Sequence, residues 1–304
     1  MDLHQAATNL HFANKPAASA GTIALGGDLI VNRMGFGAMR LTGPGIIGPP
    51  ADRDEAIRVL RRAVDLGVNF IDTAAAYGPH VSEELIAEAL YPYPEGLVIA
   101  TKGGLERPGP DQWRPNGHRE HLRKALEGSL RRLRVERIDL WQLHCLDPEV
   151  SDDAQFETLA EFVREGKVRH VGLADVDIDE IHRARRHVSV ASVQNRYNVF
   201  DRRWDSVIDY CERQRMAFIP WFPLGAGVLH SDVHEERARE RIEQVARRHE
   251  ATVLQVALAW LLDRSRAMLV IPGTSKVKHL EENVAAAELE LDDNDLRVLA
   301  KAMA

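Results

Sequence analysis

From Val31 onward, short apolar runs alternate with amphipathic ones, and this alternation limits the fold more than any other feature. The apolar runs are VNRMGFGAM (31–39), VNFID (68–72), LVIATK (97–102), RIDLWQLH (137–144), VRHVGL (168–173), VASVQ (190–194), FIPW (218–221) and MLVIPG (268–273). They are short and rich in β-branched or bulky side chains, so each reads as a strand. The segments between them carry helical spacing. DRDEAIRVLRRAVDLG (52–67) opens on the cap-forming Asp52, closes on Gly67 and places Ile57, Leu60 and Val64 on one face. SEELIAEAL (82–90) opens with Ser82 as a cap, and REHLRKALEGSLRRL (119–133) aligns Leu122, Leu126, Leu130 and Leu133. Further helices are expected over 153–166, around 178–187, and over 235–249, 253–264, 276–287 and 293–303.

A strand-then-helix order repeated eight times implies parallel strands joined by right-handed crossovers. Eight such units fit a closed (β/α)8 TIM barrel better than a doubly wound sheet. The doubly wound rival would need Gly35-Phe36-Gly37 to serve as a phosphate loop, but its third glycine and the acidic residue after a second strand are missing. TIALGGDLIV, with Gly26-Gly27-Asp28 between apolar stretches, predicts an N-terminal β-hairpin. Residues 1–21 are expected to form a flexible extension and residues 22–304 a single barrel domain.

Composition narrows the partners. The 304 residues carry a net charge of −7 with both signs interspersed, so no basic tract offers a surface for nucleic acid. Two cysteines, Cys145 and Cys211, are too few for a disulfide scaffold and lack metal-site spacing. Neither a basic-then-apolar leader nor an apolar stretch long enough to span a bilayer is visible, so a cytoplasmic setting without membrane association is expected. Oligomeric state is left open.

On a barrel of this kind, reactive side chains sit at the carboxyl ends of the strands. Those positions hold Asp72, Lys102, His144, Ala174-Asp175, Gln194, Trp221 and Pro272-Gly273-Thr274. Taken singly, each has an ordinary explanation: Asp72 a helix cap, Lys102 a solvated strand end, His144 a satisfied histidine. Three titratable groups ending three successive strands are harder to explain by packing. Tyr77 follows Asp72 by five residues and falls on the same rim. A free phenol, with a pKa of about 10, is a weak acid near neutrality. An adjacent ammonium is expected to lower that value, with Asp72 keeping Lys102 charged and oriented.

These residues carry a resemblance. GFGAMR (35–40), IDTAAAYG (71–78), ATK (100–102), DLWQLH (139–144), VGLAD (171–175), QNRYNV (194–199), WFPLG (221–225) and IPGTSKVKHLEEN (271–283) follow one another at family-like spacing. In these segments the sequence resembles the aldo-keto reductase family, of bacterial type with a short C-terminus, over nearly the whole chain from Thr22. The resemblance implies a catalytic tetrad of Asp72, Tyr77, Lys102 and His144, with Tyr77 as general acid in the hydride reduction of aldehydes or ketones. It further implies an extended nicotinamide dinucleotide, NADP(H) with NAD(H) as the alternative. Gly37, Met39 and Asp72 would contact the cofactor, Ala174, Asp175 and Gln194 would lie at the nicotinamide carboxamide, and Trp221 would stack on the ring. Phe222, Leu224 and Gly225 would approach the pyrophosphate, Gly273, Thr274 and Ser275 would form a phosphate turn before a helix N-terminus, and His279, Glu282 and Asn283 would meet the adenosine end.

Two departures from the family pattern stand out. Many relatives place Ser-Asn where this chain has Ala174-Asp175, and an arginine where it has His279. Asp175 can accept a carboxamide N–H but cannot donate. Ser275, Lys276 and Lys278 are available to compensate at the 2′-phosphate. The Pro/Gly-rich segment 103–117 reads as a structureless functional loop, with Trp113 as an apolar wall of the substrate pocket. A second rim loop, 40–51, presents Ile46 and Ile47 as exposed residues. The chain ends directly after its last helix, so broad selectivity for small carbonyl substrates is expected. The competing reading is a nicotinamide-binding regulatory subunit on the same scaffold. A metal-dependent hydrolase is disfavoured because the rim holds one histidine and no His-x-His.

Overall fold

A computed structural model of the chain describes residues 11–225 and 233–302. The first paired strands, β1 (Thr22–Leu25) and β2 (Leu29–Asn32), form the expected hairpin, with Leu25 opposite Leu29. Gly26 is required at its tip. It sits at φ +63°, and a Cβ there would lie 2.2 Å from the His170 ring.

Seven strands then form one parallel sheet. In chain order they are β3 (Phe36–Gly37), β4 (Phe70–Asp72), β5 (Val98–Gly103), β8 (Ile138–Leu143), β9 (Val168–Ala174), β10 (Val190–Gln194) and β11 (Ala217–Phe218), each beside the next. The intervening β6 (Leu105–Glu106) and β7 (Arg114–Pro115) pair with each other outside this sheet. Residues 268–271 close the sheet into a barrel. Met268 bridges Phe218 on one side and Val270 bridges Met34 on the other, both in parallel sense. Gly35 N donates to Val270 O at 2.8 Å, and Leu269 N to Phe218 O at 2.9 Å. The fold is therefore the expected (β/α)8 barrel with an N-terminal hairpin.

The barrel helices are α1 (Arg53–Asp65), α2 (Val81–Leu90), α3 (Arg119–Leu133), α4 (Asp152–Arg164), α5 (Ile178–Ala184), α6 (Asp205–Gln214), α7 (Val233–Arg248), α8 (Val253–Arg264), α9 (Val277–Ala285) and α10 (Asp293–Ala302). Strand alternation sorts the core into two layers. Phe70, Val98, Ala100, Leu140, Ala217, Ile219, Leu269 and Ile271 point inward and fill the barrel, and Leu25 and Val31 of the hairpin plug its lower mouth. Ile71, Ile99, Trp141, Leu143, Val171, Leu173, Val193 and Val270 point outward against the helices, where they meet Val59, Leu85, Leu122, Leu126, Phe156 and Leu159. Each fully buried side chain of this size stabilises the fold by about 1.5–3 kcal/mol relative to exposure.

Several expectations need correction. Packing begins before Thr22. Phe12, Ala17 and Ala20 are buried, and Ala17 N donates to Leu66 O at 3.0 Å, so residues 11–21 are part of the core rather than a flexible extension. Residues 1–10 lie outside the described residues. The run 31–39 is not one strand: the chain leaves the hairpin at Asn32 and enters the barrel at Phe36. Arg33, at the break, donates to Met268 O (3.0 Å), Ala20 O (3.3 Å) and Ser265 O (2.5 Å), which ties the seam to the end of α8. Ser82 is no cap. It lies inside α2, buried, accepting from Thr73 Oγ1 at 2.7 Å. Helix α6 went unread, and the loop 103–117 contains the small β6–β7 hairpin.

Candidate active site

Five strands deliver their ends to one rim. Asp72 is the last residue of β4, Lys102 the next to last of β5, Ala174 the last of β9 and Gln194 the last of β10, while His144 directly follows β8. Beside this rim lies a cleft of about 1050 Å³. Its wall includes Gly37, Met39, Asp72, Tyr77, Trp113, His144, Ala174, Asp175, Gln194, Trp221, Phe222, Leu224, Gly273, Thr274, Ser275, His279, Glu282 and Asn283. Of the site residues read from the sequence, Gly225 and Lys102 do not line it, nor do Lys276 and Lys278. Lys102 lies beneath its floor. Gly37 and Gly273 face each other across the barrel seam, and a Cβ on Gly273 would lie 2.6 Å from Gly37 O, so the close approach excludes larger residues.

Lys102 is fully buried and its ammonium makes three contacts: Asp72 Oδ2 at 2.5 Å, Thr73 O at 2.9 Å and the Tyr77 hydroxyl at 3.4 Å. The other Asp72 oxygen accepts from Gln142 Nε2 and Gln194 Nε2, both at 3.0 Å. With three donors converging on it, Asp72 acts as an acceptor-only carboxylate. Burial alone would push the Lys102 pKa down; the Asp72 carboxylate and Tyr77 outweigh this and hold it above the ordinary lysine value. Tyr77 reverses the expectation drawn from the sequence. Burial raises its pKa more than the Lys102 ammonium lowers it, and Asp72 and Asp175 add to the rise, so the phenol keeps its proton firmly.

His144 packs edge-on to Tyr77 with ring centroids 5.8 Å apart. Burial, with Lys102 and Arg107 nearby, depresses its pKa well below the usual histidine value, so the ring is neutral near pH 7. Its buried Nδ1 has no hydrogen-bond partner in the protein. Trp113 stands edge-on to both rings, at 6.4 Å from Tyr77 and 6.1 Å from His144. Trp113 thus lines the cleft, and Arg107, which sequence reasoning missed, holds it there. The Arg107 guanidinium stacks 3.7 Å from the Trp113 ring centroid and donates to Gln112 O, Ile46 O, Ala76 O and Gly45 O. It ties the two rim loops into one piece, so Ile46 and Ile47 are half-buried rather than exposed.

The far side of the cleft departs from expectation at two points. Asp175, at φ +52°, accepts from the Trp221 indole Nε1–H at 2.8 Å. The phosphate turn is partly occupied as well. Val277 N, at the start of α9, donates to Glu55 Oε1 at 3.1 Å, and Lys276 N to Thr274 Oγ1 at 3.2 Å. Lys278 leans toward Glu282 at 3.8 Å and, like Lys276, does not line the cleft. A second missed residue, Arg40, supplies the cation there: it is exposed on the wall beside Gly273 and Thr274. Its place in GFGAMR, one residue past Met39, was the available signal. Among the described residues no group of His, Cys, Asp and Glu could hold a metal ion, and no helix is long and apolar enough to cross a membrane.

Residues 33–304 match the model of the family described as "Aldo/keto reductase family". The chain is 50% identical over 275 residues to an uncharacterised oxidoreductase of Schizosaccharomyces pombe, spanning 90% of this chain and 87% of that one. It is 43% identical over 288 residues to pyridoxine 4-dehydrogenase of Escherichia coli, covering 92% and 98% of the two chains. The solved structure of a glycerol dehydrogenase from Gluconobacter oxydans superposes with a TM-score of 0.84 at 26% identity, covering 93% of this chain and 95% of that one.

Proposed function

The chain belongs to the aldo/keto reductase family, and from that premise we propose that it interconverts carbonyl compounds and alcohols with NADP(H), Tyr77 serving as proton donor in the reducing direction. The observation that carries this reading is the Lys102 ammonium, bridging the Asp72 carboxylate and the Tyr77 hydroxyl under the floor of a large cleft.

The residues of the wall fit a nicotinamide dinucleotide. Gln194 uses its Nε2 on Asp72, which leaves its carbonyl oxygen free to accept from a carboxamide N–H. Trp221 offers an apolar plate, and Arg40, Thr274 and Ser275 suit the anionic end. The bound cofactor supplies the hydride acceptor and donor. The chain's own residues handle the oxygen. His144, neutral and on the same wall as Tyr77, orients the carbonyl oxygen by a hydrogen bond. Tyr77 donates its proton to that oxygen as negative charge develops on it, and the Lys102 ammonium stabilises the phenolate that remains. Asp72 keeps Lys102 charged and aimed. Trp113 and Ile46 line the approach and exclude water from the reacting carbon.

The names of two relatives, pyridoxine 4-dehydrogenase and glycerol dehydrogenase, place alcohols among the compounds to test. Consumption of NADPH with a panel of small aldehydes, ketones and quinones, and formation of NADPH from the matching alcohols, tests the reading. Tight nucleotide binding without turnover on any of them would overturn it in favour of a regulatory cofactor-binding subunit.

A further inference from the structure

We infer that Asp175 makes the cleft select the oxidised over the reduced nicotinamide, which makes the bound reduced form the stronger hydride donor toward a carbonyl. This rests on the cofactor reading above and adds a direction to it. The two forms of the nucleotide have the same phosphates and differ at the ring, which carries a positive charge when oxidised and none when reduced. A fixed negative charge beside the ring therefore discriminates between them.

Asp175 meets the requirements of such a charge. It lies on the cleft wall beside Ala174, and its carboxylate is hydrogen-bonded to the edge of Trp221, the plate on which the ring stacks. Its field reaches across the site to the Tyr77 hydroxyl. In the free protein the residue is exposed to water and its carboxylate accepts the Trp221 N–H, which favours the ionised form; burial by the surrounding wall raises its pKa, and the Trp221 N–H and Arg196 act against that rise. A bound ring displaces this water and brings its own charge, when oxidised, beside the carboxylate.

Arg40 lies on the wall beside Gly273 and Thr274, and the cations around Asp175 already have carboxylate partners. Lys102 is paired with Asp72, and both Arg196 and Arg203 reach Asp201, at 3.2 and 2.7 Å. His144 is neutral. Arg196 and Arg203 attenuate the effect without cancelling it: the Arg196 backbone N–H and both charges act on Asp175, but both guanidiniums are held on Asp201. An asparagine at position 175 keeps the indole acceptor and tolerates the positive φ, and it lacks the charge. The identity of this one residue therefore separates positioning of Trp221 from selection by charge.

The test is calorimetric titration of the intact protein and of Asp175→Asn with NADP+ and, separately, with NADPH. The expected result is that NADP+ binding weakens about three- to tenfold in the variant while NADPH binding changes less than about twofold. Equal changes for both nucleotides, or no change for either, overturn the inference and leave Asp175 as a support for Trp221. If neither nucleotide binds the unaltered protein, the cofactor reading falls and this inference with it.

Discussion

The two mouths of the barrel hold similar chemical ingredients in opposite arrangements. At the upper rim, Asp72 holds Lys102, with side-chain exposures of 3% and 0%. At the lower mouth, Asp28 of the hairpin turn holds Arg169 at 2.7 Å and His170 at 2.6 Å, with exposures of 43%, 30% and 18%. The upper pair sits under an open cleft beside a phenol and an imidazole with an unpartnered Nδ1. The lower cluster belongs to the turn of the hairpin that plugs the barrel and stays open to water. What separates a reactive cluster from a structural one here is burial of the charges together with room for another molecule. Carboxylate and cation occur at both ends. Barrels generally place chemistry at the carboxyl ends of strands and stability at the amino ends, and the large cleft of this chain lies at the carboxyl ends.

The largest effect that would break the comparison is at Tyr77. Tyr77→Phe is expected to lower carbonyl reduction roughly a hundred- to ten-thousandfold, the usual contribution of a positioned proton donor. Nucleotide affinity should stay near that of the unaltered protein, because the hydroxyl meets the substrate oxygen. Steady-state turnover with parallel calorimetry checks this, and near-normal turnover would remove Tyr77 from its role.

Next in size is cofactor choice. Arg40, Thr274 and Ser275 favour a 2′-phosphate, so NADPH is expected to bind about tenfold or more tightly than NADH, the scale of one or two charge-assisted hydrogen bonds. Glu55 works against this from the start of α9. Glu55→Gln should therefore widen the gap between the two nucleotides, and tryptophan fluorescence titration reads both. Equal affinities for NADH and NADPH would remove Arg40 and its neighbours from phosphate recognition.

How much of each mouth could be read in the sequence follows from the same contrast. The upper rim was legible because strand ends are where polar residues break an apolar run, so Asp72, Lys102, His144 and Gln194 announce themselves. Direction of titration was not legible. Nothing in a sequence says that burial at Tyr77 outweighs Lys102, and the phenol moves up instead of down. Arg107 was missed because its partners are backbone carbonyls of distant loops, which leave no trace in residue identity. Helix α6 was missed because Trp204 precedes it without a capping side chain, although Val207, Ile208, Tyr210 and Cys211 carry a helical stripe. The apolar run 31–39 hides a change of direction, since Arg33 fixes the break by contacts more than two hundred residues away.

A smaller effect is expected at Ala174, where many relatives have a serine. Ala174 is buried on the cleft wall, next to Asp175, whose carboxylate is already engaged by Trp221. A carboxamide carbonyl thus has no side-chain donor from this pair. Ala174→Ser is expected to tighten NADPH binding by several-fold, in line with about 0.5–1.5 kcal/mol for one net hydrogen bond. Unchanged or weaker affinity by calorimetry would show that desolvating the hydroxyl cancels the gain.

The smallest effect belongs to the lower mouth and sharpens the comparison from the other side. Asp28→Asn should leave turnover unchanged, since the residue is at the end of the barrel opposite the cleft. Its cost to stability should be below about 1 kcal/mol, because the pair is exposed to water and screened by salt. The sign with pH is fixed by the carboxyl. Burial alone would raise the Asp28 pKa, but hydrogen bonds from Arg169 and His170 bring it below the ordinary value. A carboxyl lowered in the folded state stabilises the fold above its unfolded pKa of about 3.9, and that contribution disappears as pH falls through the lowered value. Asp139, in β8, has the opposite sign: burial raises its pKa, so its ionisation opposes folding above the ordinary value and acid relieves it. Denaturant unfolding of Asp28→Asn and the unaltered protein should therefore differ slightly at pH 7, and the difference should shrink as pH falls below about 3.9. A difference that does not shrink in acid would remove the carboxylate from the effect, and a loss of turnover would mean that the hairpin shapes the upper rim as well as sealing the lower one.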